Sequence, residues 1–119
     1  MGLHSGNALV EGAQQKEWLI GCFIPKGDLH RSCAVEAKCE AYKENEKSEE
    51  WPHWSSSDAT TFTMLISGRV LYEFKQHGVG LILEKSCDYV LFDPSVLNRW
   101  KVLKKSVILT FRWPSRPRK

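Results

Sequence analysis

The sequence predicts an all-β domain of two packed antiparallel sheets, a sandwich or barrel. Three observations carry this. Apolar residues alternate with polar ones at a period of two from Trp18 onward. The runs are short and broken by Gly, Asp and Pro, the spacing of a sandwich or barrel rather than of helices. Finally, 119 residues with 42% hydrophobic and 26% charged content make an ordinary globular chain of single-domain length. Five Trp, three Tyr and five Phe supply much of its core.

Residues 1–16 are rich in Gly, Gln and Asn and read as a flexible lead-in to one domain over 17–115, with a basic tail at 116–119. Trp18 to Ile24 (WLIGCFI) is apolar on both faces and reads as a buried strand, broken by Pro25, Lys26, Gly27 and Asp28. Residues 33–50 are ambiguous. Ala, Glu and Lys favour helix by propensity, whereas Val35, Ala37, Cys39 and Ala41 alternate with Glu36, Lys38 and Glu40 as a strand does. The strand pattern elsewhere favours a strand over 33–42, with 43–50 a solvated loop. Glu36, Lys38 and Glu40 would then face water, because the apolar alternates Val35, Ala37 and Cys39 need covering and buried charges would need partners. Further on, Thr61–Ser67 and Arg69–Lys75 read as two strands joined at a Ser67-Gly68 tight turn. Val79–Leu83, Asp88–Phe92, Arg99–Leu103 and Ser106–Trp113 complete the series.

The net charge of +3 is concentrated between Arg112 and Lys119, where four of eight residues are cationic. A solvated tail is the expectation. No aromatic-and-basic stripe for single strands accompanies it, so no nucleic-acid partner is expected. No apolar run approaches the ~20 residues of a membrane helix, so no membrane partner is expected either. The first ten residues lack the basic and apolar regions of a secretory leader, which points to a cytoplasmic protein with its four cysteines, Cys22, Cys33, Cys39 and Cys87, reduced.

TFTMLISGRVLYEF (61–74) and CDYVLFDPSVLNRW (87–100), with WLIGCFI near the start and FRWPS (111–115) near the end, resemble the cupin superfamily. The resemblance covers roughly 17–115. It implies a cupin-like jelly-roll barrel, a small ligand inside it, and association as a homodimer. Cupins that hold iron, manganese or zinc carry two histidines and a glutamate in the first motif and a histidine in the second. Counted from Gly68, those positions fall near Ser55 and Ser57, on Thr61, and on Asn98 or Arg99. Hydroxyl, amide and guanidinium groups do not replace imidazoles and a carboxylate. No metal and no other cofactor is therefore expected in the barrel.

No reaction is legible. Ser55, Ser56 and Ser57 lack the glycine pattern of a nucleophile elbow, and Gly78-Val79-Gly80 lacks the strand-then-helix setting of a dinucleotide site. His30 with Cys33 and Cys39 matches no zinc spacing and lacks a fourth ligand. What remains is a set of aromatic and polar residues around a barrel mouth: His53, Trp54, Thr61, Thr63, Tyr72, Asn98, Arg99 and Trp100. Aromatic faces with a few polar groups are how pockets hold small organic molecules. The expected function is a non-catalytic binding or sensing module for such a ligand. The alternatives are a cupin-type isomerase, lyase or dioxygenase with a nonstandard site, and a structural dimerisation module.

Overall fold

The computed structural model describes residues 2–14 and 18–117. The helix α1 (Ala8–Gln14) precedes strands β1 (Trp18–Ile20), β2 (Glu36–Tyr42), β3 (Thr60–Phe74), β4 (Val79–Leu83), β5 (Tyr89–Phe92) and β6 (Asn98–Trp113). The strands pair antiparallel in the order β1-β2-β6-β3-β4, and β5 also pairs with β3. The fold is all-β, and residues 36–42 are strand, as alternation rather than propensity indicates.

β3 and β6, at 15 and 16 residues, are long enough to run through both layers. Their pairing shifts register between Leu65 and Val70, and there the ribbon bends. The first half of β3 pairs with β5, the second half with β4. The bend brings Leu65, Val90 and Ile108 into one buried cluster with Val70, Tyr72, Phe74, Leu83 and Val102. Gly68 makes the bend feasible. Its φ is +102°, and a β-carbon there would collide with the Lys105 carbonyl and come within 2.6 Å of Ser106 Cα. Ser106 ties the far side: its hydroxyl accepts from Arg69 N–H (3.0 Å) and donates to the Lys104 carbonyl (2.6 Å).

Four expectations are corrected. Ser67-Gly68 is not a turn between two strands but a kink inside one, and 99–103 and 106–113 are likewise one strand. The signal that Gly68 provides, a positive φ, is common to turns and bulges. The Trp18–Ile24 strand stops at Ile20. Gly21 N–H donates to His30 O (3.2 Å) and Gly21 O accepts from Ser32 N–H (3.1 Å), so the chain loops back on itself. That loop brings Cys22 and Cys33 to 4.3 Å between Cα atoms, and they form a disulfide instead of staying reduced; Cys39 and Cys87 are free thiols. Residues 8–14 of the expected flexible lead-in are helical, because the Asn7 side chain caps the helix, accepting from Leu9 N–H (3.0 Å) and Val10 N–H (3.2 Å). Residues 15 and 16 of that lead-in, and 118 and 119 of the expected tail, lie outside the described residues. No helix among the described residues is long and apolar enough to cross a membrane.

The fifth correction decides the interior. Glu36, Lys38 and Glu40 do not face water. Glu36 and Glu40 are 4% and 7% exposed. β2 lies between β1 and β6, with Glu36 opposite Arg112, Lys38 opposite Thr110 and Glu40 opposite Ile108. On the other side of β6 these three residues face Thr61, Thr63 and Leu65. Side chains alternate across a strand, so all of them share one face. That face includes the buried core residues Leu65 and Ile108, and it is the inside. α1 packs against β2 and β1, and Ala37, on the opposite face of β2, is 5% exposed.

Candidate functional site

The register builds the inner wall in rows. Glu36, Arg112, Thr61 and Phe92 stand side by side across β2, β6, β3 and β5. Lys38, Thr110, Thr63 and Val90 form the next row, and Glu40, Ile108 and Leu65 the third. The barrel is therefore apolar at one end and polar toward the other. Thr61, Thr63 and Thr110 are 3%, 2% and 6% exposed. A polar interior is costly unless its groups are paired or serve a ligand.

Much of it is paired. Ser115 Oγ donates to Glu36 Oε1 (3.0 Å) and accepts from Cys22 N–H (2.8 Å), so the disulfide loop and the last residues of the domain fix that carboxylate. Lys38 Nζ lies 2.5 Å from Glu40 Oε1. Lys38 and Arg112 also approach the Trp18 ring, at 4.8 Å and 5.3 Å from its centroid, and the ring face attracts both cations. The Arg112 Nε is buried and has no hydrogen-bond partner among the described residues. Tyr72 reaches across from the opposite layer to hydrogen-bond Thr63, and burial pushes its phenol up to about 12, so it is a neutral hydroxyl across the physiological range.

Between the rows and the mouth lies a cavity of ≈ 250 Å³, lined among others by Lys38, Ser57, Thr61, Asn98, Trp100 and Arg112. A second cavity of ≈ 170 Å³ adjoins it through Ser57 and Arg112, with Glu36, Asp58 and Arg116 on its walls. Arg112 thus belongs to the chamber and not to a solvated tail. Arg116, further along, pairs with Asp58 at 3.0 Å on the surface.

The expected site residues divide. Thr61, Asn98 and Trp100 line the cavity, and Thr63 and Tyr72 are on the inner wall beneath it. Asn98 also ties the mouth, its amide donating to the Ser55 and Val96 carbonyls (3.1 Å each). His53, Trp54 and Arg99 lie elsewhere. Arg99 is on the outer face of β6, clasped by Trp51 and Trp54 at 4.7 Å and 4.2 Å, bonded to Glu73 Oε1 (3.0 Å) and to the Pro52 carbonyl (2.6 Å). His53 is exposed beside that clasp. Sequence reasoning missed Trp18, Lys38 and Arg112. Lys38 belonged to an alternation whose inward sense was misjudged, and Arg112 was read as part of a tail, although it follows Ile108 and Thr110 at the same period.

Ser55, Ser57, Thr61 and Asn98, the positions that match the metal-ligand positions of cupins, line the same cavity. The chamber holds hydroxyls, an amide, two cationic side chains and one carboxylate, Glu49, where a divalent metal needs several imidazoles and carboxylates aimed at one point. The donor set does not fit a metal there.

No family model matches the chain, and no curated protein matches it. Solved structures do match. KdgF from Halomonas sp. superimposes with a TM-score of 0.62 at 13% identity, over 71% of this chain and 73% of that one. A cupin superfamily protein from Desulfitobacterium hafniense gives 0.59 at 11% identity over 69% of each chain. A putative ethanolamine utilization protein Q from Salmonella typhimurium gives 0.56 at 12% identity, over 70% of this chain and 60% of that one. Likeness at such identities speaks to the fold.

Proposed function

We propose, from the premise that this chain is a small cupin-like jelly-roll domain, that it binds a small polar organic molecule in the chamber between Lys38, Thr61, Asn98, Trp100 and Arg112. The observation that carries this reading is Arg112. Its buried Nε–H has no acceptor among the described residues, and leaving such a donor unsatisfied costs ~1–3 kcal/mol or more for a charged group. A ligand acceptor, such as a carboxylate or a hydroxyl oxygen, relieves that cost. Lys38 is already engaged with Glu40, so Arg112 is the cation left for an incoming anion or polar oxygen. The Trp100 and Phe92 rings offer apolar area beside it. Because catalysis requires a positioned acid, base or nucleophile acting on that molecule, the reading implies binding and not a reaction.

Native mass spectrometry of the purified protein, followed by a screen of small organic acids and polyols by NMR shift perturbation, tests it. The expected outcome is saturable binding whose shifts centre on Lys38, Thr61 and Trp100. Arg112→Met, which keeps the length and removes the donor, is expected to weaken binding at least ~10-fold, given ~1.5–3 kcal/mol for a hydrogen bond to a charged group. A purified sample that binds nothing in either experiment, with a stable fold, refutes the reading.

A second reading rests on a different surface. Val79 and Leu81 of β4 and Tyr89 and Leu91 of β5 are all exposed, around an apolar groove of ≈ 790 Å³. Contiguous apolar surface on an edge strand favours association. A second copy pairing its own β4 edge antiparallel to this one would give a two-fold homodimer.

A further inference from the structure

We propose that His4, Glu11 and His30 form a binding site for a divalent transition metal such as zinc, outside the barrel, where the N-terminal segment meets the disulfide loop. One ligand atom from each of the three lies within 4.8 Å of the others. His4 Nε2 is 2.7 Å from Glu11 Oε1, and the two imidazole rings stand edge to face with centroids 4.5 Å apart. Two imidazoles and a carboxylate are the ligand set of open zinc sites, which leave a fourth position for water. Around a metal with ~2.0–2.2 Å bonds, ligand atoms stand roughly 3.4 Å apart, so separations of up to 4.8 Å close by as much as about 1.4 Å while the His4–Glu11 pair opens from 2.7 Å.

Two features prepare it. Asp28 Oδ1 holds His30 Nδ1 at 2.9 Å and accepts from His30 N–H at 2.8 Å. With Nδ1 donating to a carboxylate, the lone pair is on Nε2, the arrangement by which metal-bound imidazoles are oriented. Glu11, in turn, rests its carboxylate against Gly6, where any β-carbon would collide with it. Glu11 and His30 are only 25% and 21% exposed, so both are partly withdrawn from water. The residues come from three separate pieces: the lead-in, α1 and the 21–33 loop. Metal binding therefore clasps the N-terminal helix to a loop that the Cys22–Cys33 disulfide already closes. The cluster of His30 with Cys33 and Cys39, which already matched no zinc spacing in the sequence, cannot form, because Cys33 is in that disulfide.

The test uses the full chain with its disulfide intact, Cys39 and Cys87 changed to Ser to remove free thiols, and metal stripped by chelator. Zinc titration by calorimetry is expected to show one ion per chain, with cobalt giving a visible absorption band of low coordination number. His4→Ala and His30→Ala are each expected to lower zinc affinity at least ~100-fold, and Asp28→Asn by ~10–100-fold. His4 is exposed, so His4→Ala is a fair test even if His30→Ala fails to fold. Absence of one-to-one zinc binding, or unchanged affinity in His4→Ala, overturns the proposal.

Discussion

Tyr72 shows most directly what the barrel does to a single side chain. Its ring is in the core cluster and its hydroxyl reaches Thr63 in the polar row. The folded phenol titrates at about 12 against an ordinary 10.0. The unfolded chain therefore gives up this proton first. The stabilisation is fully present below pH 10 and is lost as pH rises toward 12, by about 3 kcal/mol for two units. Ultraviolet titration of the native protein is expected to show a tyrosinate step near pH 12 that disappears in Tyr72→Phe, and that variant loses the alkaline decline in urea stability. A Tyr72 step near pH 10 with the fold intact contradicts the burial. Arg99 teaches the converse lesson. It joins a cation, two Trp rings and Glu73, all features of a binding site, yet on the outer face it serves to pin the 51–55 loop to β6.

Among the elements, β3 bears the largest constraint. It changes layers at Gly68, where backbone from β6 occupies the space of a side chain. Gly68→Ala is expected to cost more than ~3 kcal/mol, from positive-φ strain together with steric collision. Loss of most of the urea midpoint measures it; a change under ~1 kcal/mol rejects the kink as described. β2 shows the other limit on reading a strand. Its alternation was legible, and so was its strand character against helical propensity. Its sense was not: Val35, Ala37 and Cys39 looked like the face needing cover, and Glu36, Lys38 and Glu40 like the wet one. Shifting a strand by one residue exchanges its faces, and the choice was made by partners on β6 that cannot be identified from β2 alone.

For the whole molecule, the shape is an elongated 47 × 27 × 22 Å body with its apolar edge, β4 and β5, uncovered. Light scattering is expected to give a dimer mass at micromolar concentration, and Leu81→Lys to give a monomer with an unchanged β-sheet spectrum. A wild-type monomer at hundreds of micromolar removes the homodimer reading while leaving the chamber and its Arg112 test untouched. The chamber and the edge are at different places on the barrel, with Phe92 the residue they share.

The sequence by itself determined the fold class and most strand positions, and it puts hydroxyl and amide side chains at Ser55, Ser57, Thr61 and Asn98. These follow from periodicity and residue chemistry, which are local. Only the tertiary structure decided that Gly68 bends a strand instead of ending it, that Cys22 meets Cys33, and that Lys38 and Arg112 line one chamber. Each of those depends on which distant segment lies alongside. Pairing between strands separated by dozens of residues is fixed by the closure of the whole barrel, and no window of the chain contains it.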